Sequence, residues 1–335
     1  MPLAEQWSHQ RLVAAYHQRI FSKEGTMTEV RRPTPDELRT CLTYPAQVID
    51  TAKGPVEYAD RGQGAPVLCV HGGPGGCDQG LGLGELFQVN GFRIIAPSRP
   101  GYLGTPLATG STPEEQAGAH AALLEALHIE KAAVIGASAG GPSSYLLAAL
   151  YPEKVSALME IDSVCLSYKI DVTPMQEKMF LSRAGIWLTR FFLDHFPEAS
   201  VKSFLSTEST LNRQEIAERA KHIIQDEGKL AFLWFLMQTM SQRFDQRQAG
   251  VHNDLFQMAA IERLPLATVA CPTLIMHGTA DKDVPPSHAE WAQAAIPGAE
   301  LYWLPGGSHI GFWTGDDAYP AQEYALAWLR EKMGA

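Results

Sequence analysis

The most constraining feature of this sequence is a serine among small residues, directly after a short apolar run. Residues 136–140 read Gly-Ala-Ser-Ala-Gly; they follow the apolar run Ala133–Ile135 and precede a segment with helical periodicity. A sharp turn from a strand into a helix needs small neighbours around its central residue, and this pattern provides them. It predicts a nucleophile elbow that exposes Ser138 over a helix N-terminus, where the helix dipole favours negative charge.

A glycine-rich segment follows a second apolar run. Residues 71–76 read His-Gly-Gly-Pro-Gly-Gly and come directly after the strand-like run Val67–Val70. Glycines let the main chain approach a substrate closely, so this loop can direct backbone N–H groups at a carbonyl oxygen. We expect the N–H groups of Gly73 and Ala139 to form an oxyanion hole, with Gly72 as the less favoured alternative to Gly73. The phosphate-binding patterns GxxxxGK[ST] and GxGxxG are absent from the sequence.

A serine at its ordinary pKa needs a general base, and the base needs an acid to orient it. Asp281 follows the apolar run Thr273–Met276, and His309 follows the run Glu300–Leu304. Both positions are ends of predicted strands, and the chain order is Ser138, then the acid, then the histidine. The sequence therefore predicts a catalytic triad in which the histidine is the general base and the aspartate orients it.

Other acids and histidines compete for these roles. Asp283 lies two residues past the predicted acid, and Asp162 ends the strand after the nucleophile helix, where a relocated acid could also reach the base. His277 and His288 lie near the acid loop, but neither follows the last strand. We interpret both, and His71 of the glycine-rich loop, as structural or solvated residues.

The chain alternates short apolar runs with helical segments in two blocks, residues 46–163 and 268–335. This βαβ rhythm predicts an α/β fold with a mostly parallel central sheet and helices on both faces. The predicted strands are Val67–Val70, Phe92–Ala96, Ala132–Gly136, Ala157–Ile161, Thr273–His277 and Glu300–Leu304. The predicted helices are Asp78–Gln88, Pro113–Leu127, Ala139–Leu150, Ser287–Ile296 and Ala318–Lys332.

Between the two blocks, residues 164–267 carry helical patterns and no convincing strand, which predicts an inserted all-helical cap. The predicted helices are Pro174–His195, Arg213–Gln225 and Lys229–Arg247. Apolar residues recur at helical spacing: Met175, Met179, Trp187, Phe191, Phe232, Phe235, Leu236 and Met240. We expect most of them to pack the helices together and the rest to line an apolar pocket that faces the sheet.

Residues 1–45 are predicted to form an N-terminal helical extension. Leu12, Val13, Tyr16 and Ile20 fall on one helical stripe, which would dock on the body of the protein or on a second subunit. A homodimer is therefore a further expectation.

The composition excludes several classes of function. The formal charge is -10 with 19% charged residues, and no Lys/Arg cluster offers a track for phosphates, so nucleic acid is not an expected partner. The five cysteines are scattered without a CxxC pair, which argues against a disulfide framework or a zinc site. The sequence shows no secretory signal and no run of eighteen apolar residues. We expect a cytoplasmic protein without a metal, an organic cofactor or a membrane span.

Four segments carry a resemblance to a known family. The sequence resembles the α/β-hydrolases over roughly residues 50–162 and 268–333, and residues 164–267 are similar in position to the helical cap of some members. The segments that correspond to the family's oxyanion, elbow, acid and histidine motifs are HGGPGG, GASAGG, HGTADKDVP and GGSHIGF. The resemblance implies a serine hydrolase fold. The HGGPG segment is similar to esterases and to proline iminopeptidases.

Two departures count against the iminopeptidase branch. Residues 97–102 read Pro-Ser-Arg-Pro-Gly-Tyr where that branch has an Asp-Gln-Arg-Gly loop, and Ala139 stands where it has tryptophan. An aminopeptidase also needs cap carboxylates for the substrate ammonium, for which the candidates are Glu177, Glu198, Glu208 and Glu215.

These observations favour a serine hydrolase that cleaves a small or medium apolar carboxylic ester through an acyl-enzyme. The first alternative is an aminopeptidase of the proline iminopeptidase type. The second is a C–C bond hydrolase, or a non-hydrolytic protein of this fold such as a cofactor-free oxygenase or a ligand receptor.

Overall fold

A single sheet crosses the part of the chain that the computed structural model describes, residues 30–169 and 183–334. Its eight strands run in the order β1-β2-β4-β3-β5-β6-β7-β8. The strands are β1 Gln47–Thr51, β2 Gly54–Arg61, β3 Pro66–Val70, β4 Arg93–Pro97, β5 Ala132–Ala137, β6 Val155–Ile161, β7 Thr273–Gly278 and β8 Glu300–Leu304. The α/β-hydrolase fold that the sequence predicted is confirmed.

The sheet is parallel from β4 to β8 and antiparallel at one edge. Strands β3 to β8 pair in parallel, while β2 pairs antiparallel with both β1 and β4. The central strand β5 is buried along its whole length, as expected for a strand covered on both faces. The carboxyl ends of the parallel strands therefore meet at one edge of the sheet.

Helices precede, connect and follow the strands of the sheet. They are α1 Pro35–Thr43, α2 Cys77–Gln88, α3 Pro113–Ala126, α4 Gly141–Leu150, α10 Ser287–Ala295, α11 Gly311–Thr314 and α12 Ala318–Met333. The connection from β3 to β4 runs in the opposite direction to those from β4 to β5 and onward. With right-handed crossovers, α2 thus lies on one face of the sheet, and α3, α4 and α10 lie on the other. All predicted strands and helices of the two blocks are present, with ends shifted by one or two residues.

The helix α3 shows why its start was predictable. Thr112 accepts a hydrogen bond from the backbone of Glu115, and the Glu115 side chain accepts one from the backbone of Thr112. This capping box satisfies two N–H groups that a helix terminus leaves without partners.

Between β6 and β7 the described residues are helical. The helices are α5 Arg183–His195, α6 Pro197–Glu208, α7 Arg213–Gln225, α8 Glu227–Ser241 and α9 Gln248–Ala259. We call residues 183–264 the helical segment. The predicted helix Lys229–Arg247 is wrong at its end, because Arg243 adopts a left-handed conformation (φ 51°) and α8 stops at Ser241. The helices α6 and α9 were not predicted.

A second prediction that was wrong concerns the aromatic residues of α5, which were expected to pack between helices or to line a pocket. Trp187 is 65% exposed and Phe191 is 38% exposed, so neither packs in a core nor lines a pocket among the described residues. The start of the predicted helix Pro174–His195, with Met175 and Met179, lies outside the described residues, as does the predicted N-terminal stripe Leu12–Ile20.

The antiparallel strands β1 and β2 were missed; β1 lies at the sheet edge, and β2 pairs with both β1 and β4. Val48 is 60% exposed, and β1 alternates between exposed and half-buried positions without a strong apolar run. An edge strand is set by pairing with its neighbour, which leaves little local signal in the sequence. Within the described residues, no helix is long and apolar enough to cross a bilayer.

Candidate active site

Four loops that carry the predicted functional residues meet at the carboxyl edge of the sheet. They follow β3, β5, β7 and β8, strands that run in parallel. In open α/β sheets this edge is where ligands bind, because side chains from several strand ends converge there. The fold therefore brings together residues that are far apart in sequence, such as Ser138 and His309, which are 171 positions apart.

Ser138 lies at a strained turn between β5 and the helix that follows. Its φ is 52°, a left-handed conformation that is uncommon for residues other than glycine. The small neighbours predicted from the sequence are required here: a Cβ on Gly140 would lie 2.7 Å from the carbonyl oxygens of Val70 and His71. A Cβ on Gly136 would lie 2.1 Å from Ser144 Oγ. A side chain at either position would require the surrounding atoms to shift.

The three side chains predicted as a triad form a hydrogen-bonded chain. Ser138 Oγ lies 3.0 Å from His309 Nε2, and His309 Nδ1 lies 2.9 Å from Asp281 Oδ2. Asp281 is fully buried, and its other oxygen accepts a hydrogen bond of 2.9 Å from the Val284 N–H. A carboxylate at Nδ1 holds the proton on that nitrogen and leaves Nε2 free to accept the serine proton.

The competing acids lie close but occupy different places. Asp162 accepts a hydrogen bond of 2.8 Å from the Gly278 N–H and makes none to His309. Asp283 Oδ2 lies 3.5 Å from His309 Nε2, on the side of the ring that faces the serine. Tyr168 donates a hydrogen bond of 2.5 Å to Asp283 Oδ1. Of the three carboxylates, only the one on Asp281 is placed to orient the ring.

The carboxylates determine the protonation of His309. Burial by itself would lower the pKa of this imidazole, but the charges of Asp281 and Asp283 raise its pKa well above the ordinary value. Both acids favour the imidazolium that forms when the base takes a proton. The arrangement is suited to a base that must hold a proton during a reaction cycle.

The two candidate oxyanion loops lie on either side of the serine. The Gly72 N–H donates to Gln79 Oε1 at 3.1 Å, so it is already occupied. Within the described residues, the Gly73 N–H has no acceptor. A Cβ on Gly73 would lie 3.5 Å from the Cβ of Ala139, the residue after the serine. This geometry favours Gly73 over Gly72 as the partner of Ala139.

A cavity of about 100 Å³ opens beside Ser138. Its apolar walls come from the core and from the helical segment: Leu83, Ile161, Phe204, Phe232, Leu236, Met240, Ile310 and Trp313. The predicted stripe on α8 therefore contributes three residues to the pocket, and Phe235 packs in the core instead. Carboxyl groups of Asp162, Glu208 and Asp283 also line the cavity, and no described lining residue is a lysine or an arginine.

The three other histidines that the sequence analysis weighed make hydrogen bonds to the backbone. His71 Nε2 accepts a hydrogen bond of 2.9 Å from the Arg99 N–H, so its Nδ1 carries the proton and donates to the Gly72 carbonyl at 2.6 Å. His288 Nδ1 accepts hydrogen bonds from the backbone of Cys165 and Leu166. His277 is buried and lies 2.9 Å from the Val284 carbonyl. All three were interpreted from the sequence as structural or solvated, and they are buried.

One buried cluster has ligand types that a metal could use: Asp162, His277 and Asp281. The ring of His277 presents Nδ1 to Asp162 at 3.8 Å and Nε2 to Asp281 at 3.5 Å. A single ion cannot be bound through both nitrogens, and the oxygens of Asp281 already accept from His309 and Val284. The cluster therefore does not fit a metal site; the His277 ring lies between the two carboxylates and bonds the Val284 carbonyl through Nε2.

Sequence reasoning missed a buried ionic network beside the glycine-rich loop. Arg99 donates to both oxygens of Asp254, at 2.8 and 2.6 Å, and Tyr102 donates to the same carboxylate at 2.5 Å. Arg99 is 1% exposed, and Asp254 belongs to α9 of the helical segment. The segment Pro97–Tyr102 contains two residues of this network, but from the sequence it was interpreted only as a departure from the iminopeptidase branch.

A second buried arginine supports the same loop. Arg247, also from the helical segment, pairs with Asp78 at 2.5 Å and donates to the Gly75 carbonyl. Its side chain is fully buried. The helical segment therefore supplies charged side chains to both ends of the glycine-rich loop.

Comparisons with known proteins agree with this architecture. A sequence model of the alpha/beta hydrolase fold matches residues 65–316. The chain is 32% identical over 283 residues to the "uncharacterized hydrolase YcgS" of Bacillus subtilis (strain 168), which covers 82% of this chain and 95% of that protein. It is 28% identical over 260 residues to a 2-hydroxymuconate semialdehyde hydrolase of Pseudomonas putida, covering 76% of this chain and 83% of that one.

A solved structure is similar at the level of the whole fold. An alpha/beta hydrolase fold protein from Nakamurella multipartita has 38% sequence identity and a TM-score of 0.83, over 87% of this chain and 100% of the other. The chain belongs to the α/β-hydrolase fold family of hydrolases.

Proposed function

We propose that the protein is a serine hydrolase that cleaves small or medium apolar carboxylic esters through an acyl-enzyme. The observation that carries the proposal is the hydrogen-bonded chain from Ser138 Oγ through His309 to Asp281. Ser138 and His309 of this chain line a cavity whose walls are largely apolar.

The first half of the reaction transfers the acyl group to the serine. Ser138 Oγ attacks the ester carbonyl carbon while His309 Nε2 takes its proton, and Asp281 stabilises the imidazolium. The N–H groups of Gly73 and Ala139 stabilise the negative oxygen, which is worth about 3 kcal/mol per donor in comparable sites. The C–O bond to the alcohol then breaks, and His309 gives the proton to the departing oxygen.

The second half releases the acid. A water molecule loses a proton to His309 and attacks the carbonyl carbon of the acyl-enzyme, through the same oxyanion site. The bond to Ser138 Oγ breaks, and the proton returns to the serine. No step of this cycle uses a group other than the side chains and backbone described above.

The charge of the cavity supports a neutral substrate. Its described lining carries three carboxyl groups and no lysine or arginine to bind an anionic substrate, and the imidazole of His309 is already paired with Asp281. The Pseudomonas putida relative is named for a semialdehyde derived from 2-hydroxymuconate, an acid. The acidic lining therefore argues for a neutral ester over C–C cleavage of a carboxylate of that kind.

The same carboxyl groups favour one second candidate, an aminopeptidase. Glu208 was among the sequence candidates for holding a substrate ammonium, and it lines the cavity together with Asp283. Burial and the charge of Asp283 raise the pKa of Glu208 to about 7. A protonated amine placed between the two would restore the ionised form of Glu208.

One paired assay tests both candidates. Purified protein is incubated with p-nitrophenyl butyrate and with proline p-nitroanilide, with the Ser138→Ala variant as the control. Turnover of the butyrate that the variant loses would support the ester proposal, and preference for the anilide would replace it by the aminopeptidase. Failure to turn over either substrate, from folded protein, would contradict both and direct attention to C–C cleavage or a non-hydrolytic role.

A further inference from the structure

The orientation of one peptide bond decides whether Gly73 can serve as an oxyanion donor. The N–H of Gly73 and the carbonyl of Gly72 belong to the same peptide unit. In a trans peptide the two groups point in opposite directions. Any contact that fixes the direction of the Gly72 carbonyl oxygen therefore fixes the direction of the Gly73 N–H.

Two donors hold the Gly72 carbonyl. Arg99 Nη2 donates to it at 3.2 Å, and His71 Nδ1 donates to it at 2.6 Å. Arg99 also reaches the preceding residue: its Nε donates to the His71 carbonyl at 3.0 Å, and its backbone N–H donates to the His71 ring. The start of the glycine-rich loop is thus held by one buried guanidinium.

The guanidinium is itself held from the helical segment. Asp254 of α9 binds it through both carboxylate oxygens, and Tyr102 adds a hydrogen bond to the same carboxylate. The backbone on either side is in close contact, since the Gly250 N–H donates to the Gly101 carbonyl at 2.8 Å. A bidentate pair of this kind fixes the plane of the guanidinium as well as its position.

We propose that Asp254 is a positioning residue for the oxyanion site, acting through Arg99 on the Gly72–Gly73 peptide. The helical segment then has a part in the chemistry beyond shaping the pocket. The charge of Arg99 also polarises the Gly72 carbonyl, which makes the Gly73 N–H a stronger donor. This inference rests on the proposed oxyanion role of Gly73.

The test variant is Asp254→Asn, which keeps the shape of the side chain and removes its charge. The readout is the rate at which an alkyl fluorophosphonate labels Ser138, measured by intact-protein mass spectrometry. That reaction requires an activated serine and an oxyanion site, but it is independent of the natural substrate. We expect the labelling rate to fall by about ten- to a hundredfold, a fraction of what loss of one donor costs.

A matched control breaks a similar pair elsewhere. Arg93 binds both oxygens of Asp60, at 2.9 and 2.6 Å, between β4 and β2. Asp60→Asn should leave the labelling rate within about twofold of the wild type, and KM for p-nitrophenyl butyrate should change little in Asp254→Asn while kcat falls. An equal loss in both variants, or none in Asp254→Asn, would overturn the inference.

Misfolding of Asp254→Asn and failure of the ester proposal can each be distinguished from failure of this inference. If Asp254→Asn does not fold, as judged by circular dichroism, Tyr102→Phe removes only the hydroxyl that holds the carboxylate; a smaller fall in labelling rate is expected, and an unchanged rate overturns the inference. Wild-type protein that is labelled but cleaves no ester would end the ester proposal and leave the labelling comparison valid. Wild-type protein that is not labelled at Ser138 would overturn both.

Discussion

Asp283 Oδ2 lies 3.5 Å from His309 Nε2, the nitrogen that also lies 3.0 Å from Ser138 Oγ. The base is therefore flanked by two carboxylates, with Asp281 at its other nitrogen. Both raise the pKa of His309 above its ordinary value, against the effect of burial. In the proposed reaction only the neutral imidazole accepts the serine proton, so these charges would determine the pH at which that reaction begins.

Replacement of Asp283 by asparagine should move the acidic limb of the pH profile to lower pH. Removal of its charge lowers the pKa of His309, so a larger fraction of the base is neutral at a given acidic pH. The measurement is kcat/KM for p-nitrophenyl butyrate as a function of pH. The control is Asp50→Asn, at an exposed position of β1. A limb that stays in place or moves upward would contradict the assignment.

Loss of Asp281 should damage catalysis far more than loss of Asp162. Asp281→Asn is expected to lower kcat on the order of 10⁴-fold, because the wrong tautomer of His309 results. Burial and the charge of Asp281 raise the pKa of Asp162 well above the ordinary value, and an amide at this position can accept the same Gly278 N–H. Asp162→Asn should keep most of the activity. Comparable losses would show that the two acids share the role.

Glu160 should make the stability of the fold depend on pH. It is fully buried under the elbow, where Ser144 donates to it at 2.5 Å, and burial raises its pKa from 4.5 to about 8. Between these values the folded protein keeps a proton that the unfolded chain has lost, so this group makes stability fall as pH rises from about 4.5 to about 8.

Glu160→Gln should remove this contribution, because the amide stays neutral at every pH. The check is the free energy of unfolding in urea across that pH range for the wild type, for Glu160→Gln and for the exposed control Glu153→Gln. A slope that is equal in all three proteins would contradict the assignment.

Gly82→Ala should destabilise the contact between α2 and α8. A Cβ there would lie 2.1 Å from Cζ of Phe235, whose side chain is fully buried and cannot move aside. Overpacking of this kind costs about 1–3 kcal/mol, while alanine gains about 1 kcal/mol in helix propensity. The thermal midpoint should therefore fall. The control is Gly311→Ala, where no atom lies within 4 Å of the new Cβ; an equal effect of both changes would refute the packing argument.

Met240→Ala should shift the preference for acyl length. Met240 lines the cavity, and its truncation leaves space for a longer chain. The measurement is kcat/KM for p-nitrophenyl esters from acetate to octanoate. Met237→Ala is the matched control, since it lies on the same helix outside the described cavity lining. A chain-length profile that is unchanged in Met240→Ala would place the acyl group elsewhere.

Local sequence patterns predicted the fold and the three residues of the hydrogen-bonded chain, Ser138, His309 and Asp281. The elbow was predictable because a strand-to-helix turn restricts the residues within it, as the 2.1 Å approach at Gly136 illustrates. The acid and the histidine were predictable because each follows an apolar run, and parallel strands bring their carboxyl ends to one edge. These signals lie within a few residues of the positions that they identify.

Other features depended on contacts between distant segments. That the Gly72 N–H already has an acceptor follows from the position of the Gln79 side chain. The pair of Arg99 and Asp254 joins residues 155 positions apart, and neither residue has a local pattern that indicates its partner.

By itself, the sequence determined the α/β-hydrolase fold and the order of Ser138, Asp281 and His309, because those features follow from periodicity and from turns that admit few residue types. Only the tertiary structure decided which helical side chains line the cavity, which acid contacts His309 and how the helical segment contacts Arg99 and the glycine-rich loop. Those depend on the rotation and docking of helices and on side-chain geometry. The periodicity of the sequence specifies neither how the helices dock nor the geometry of their side chains.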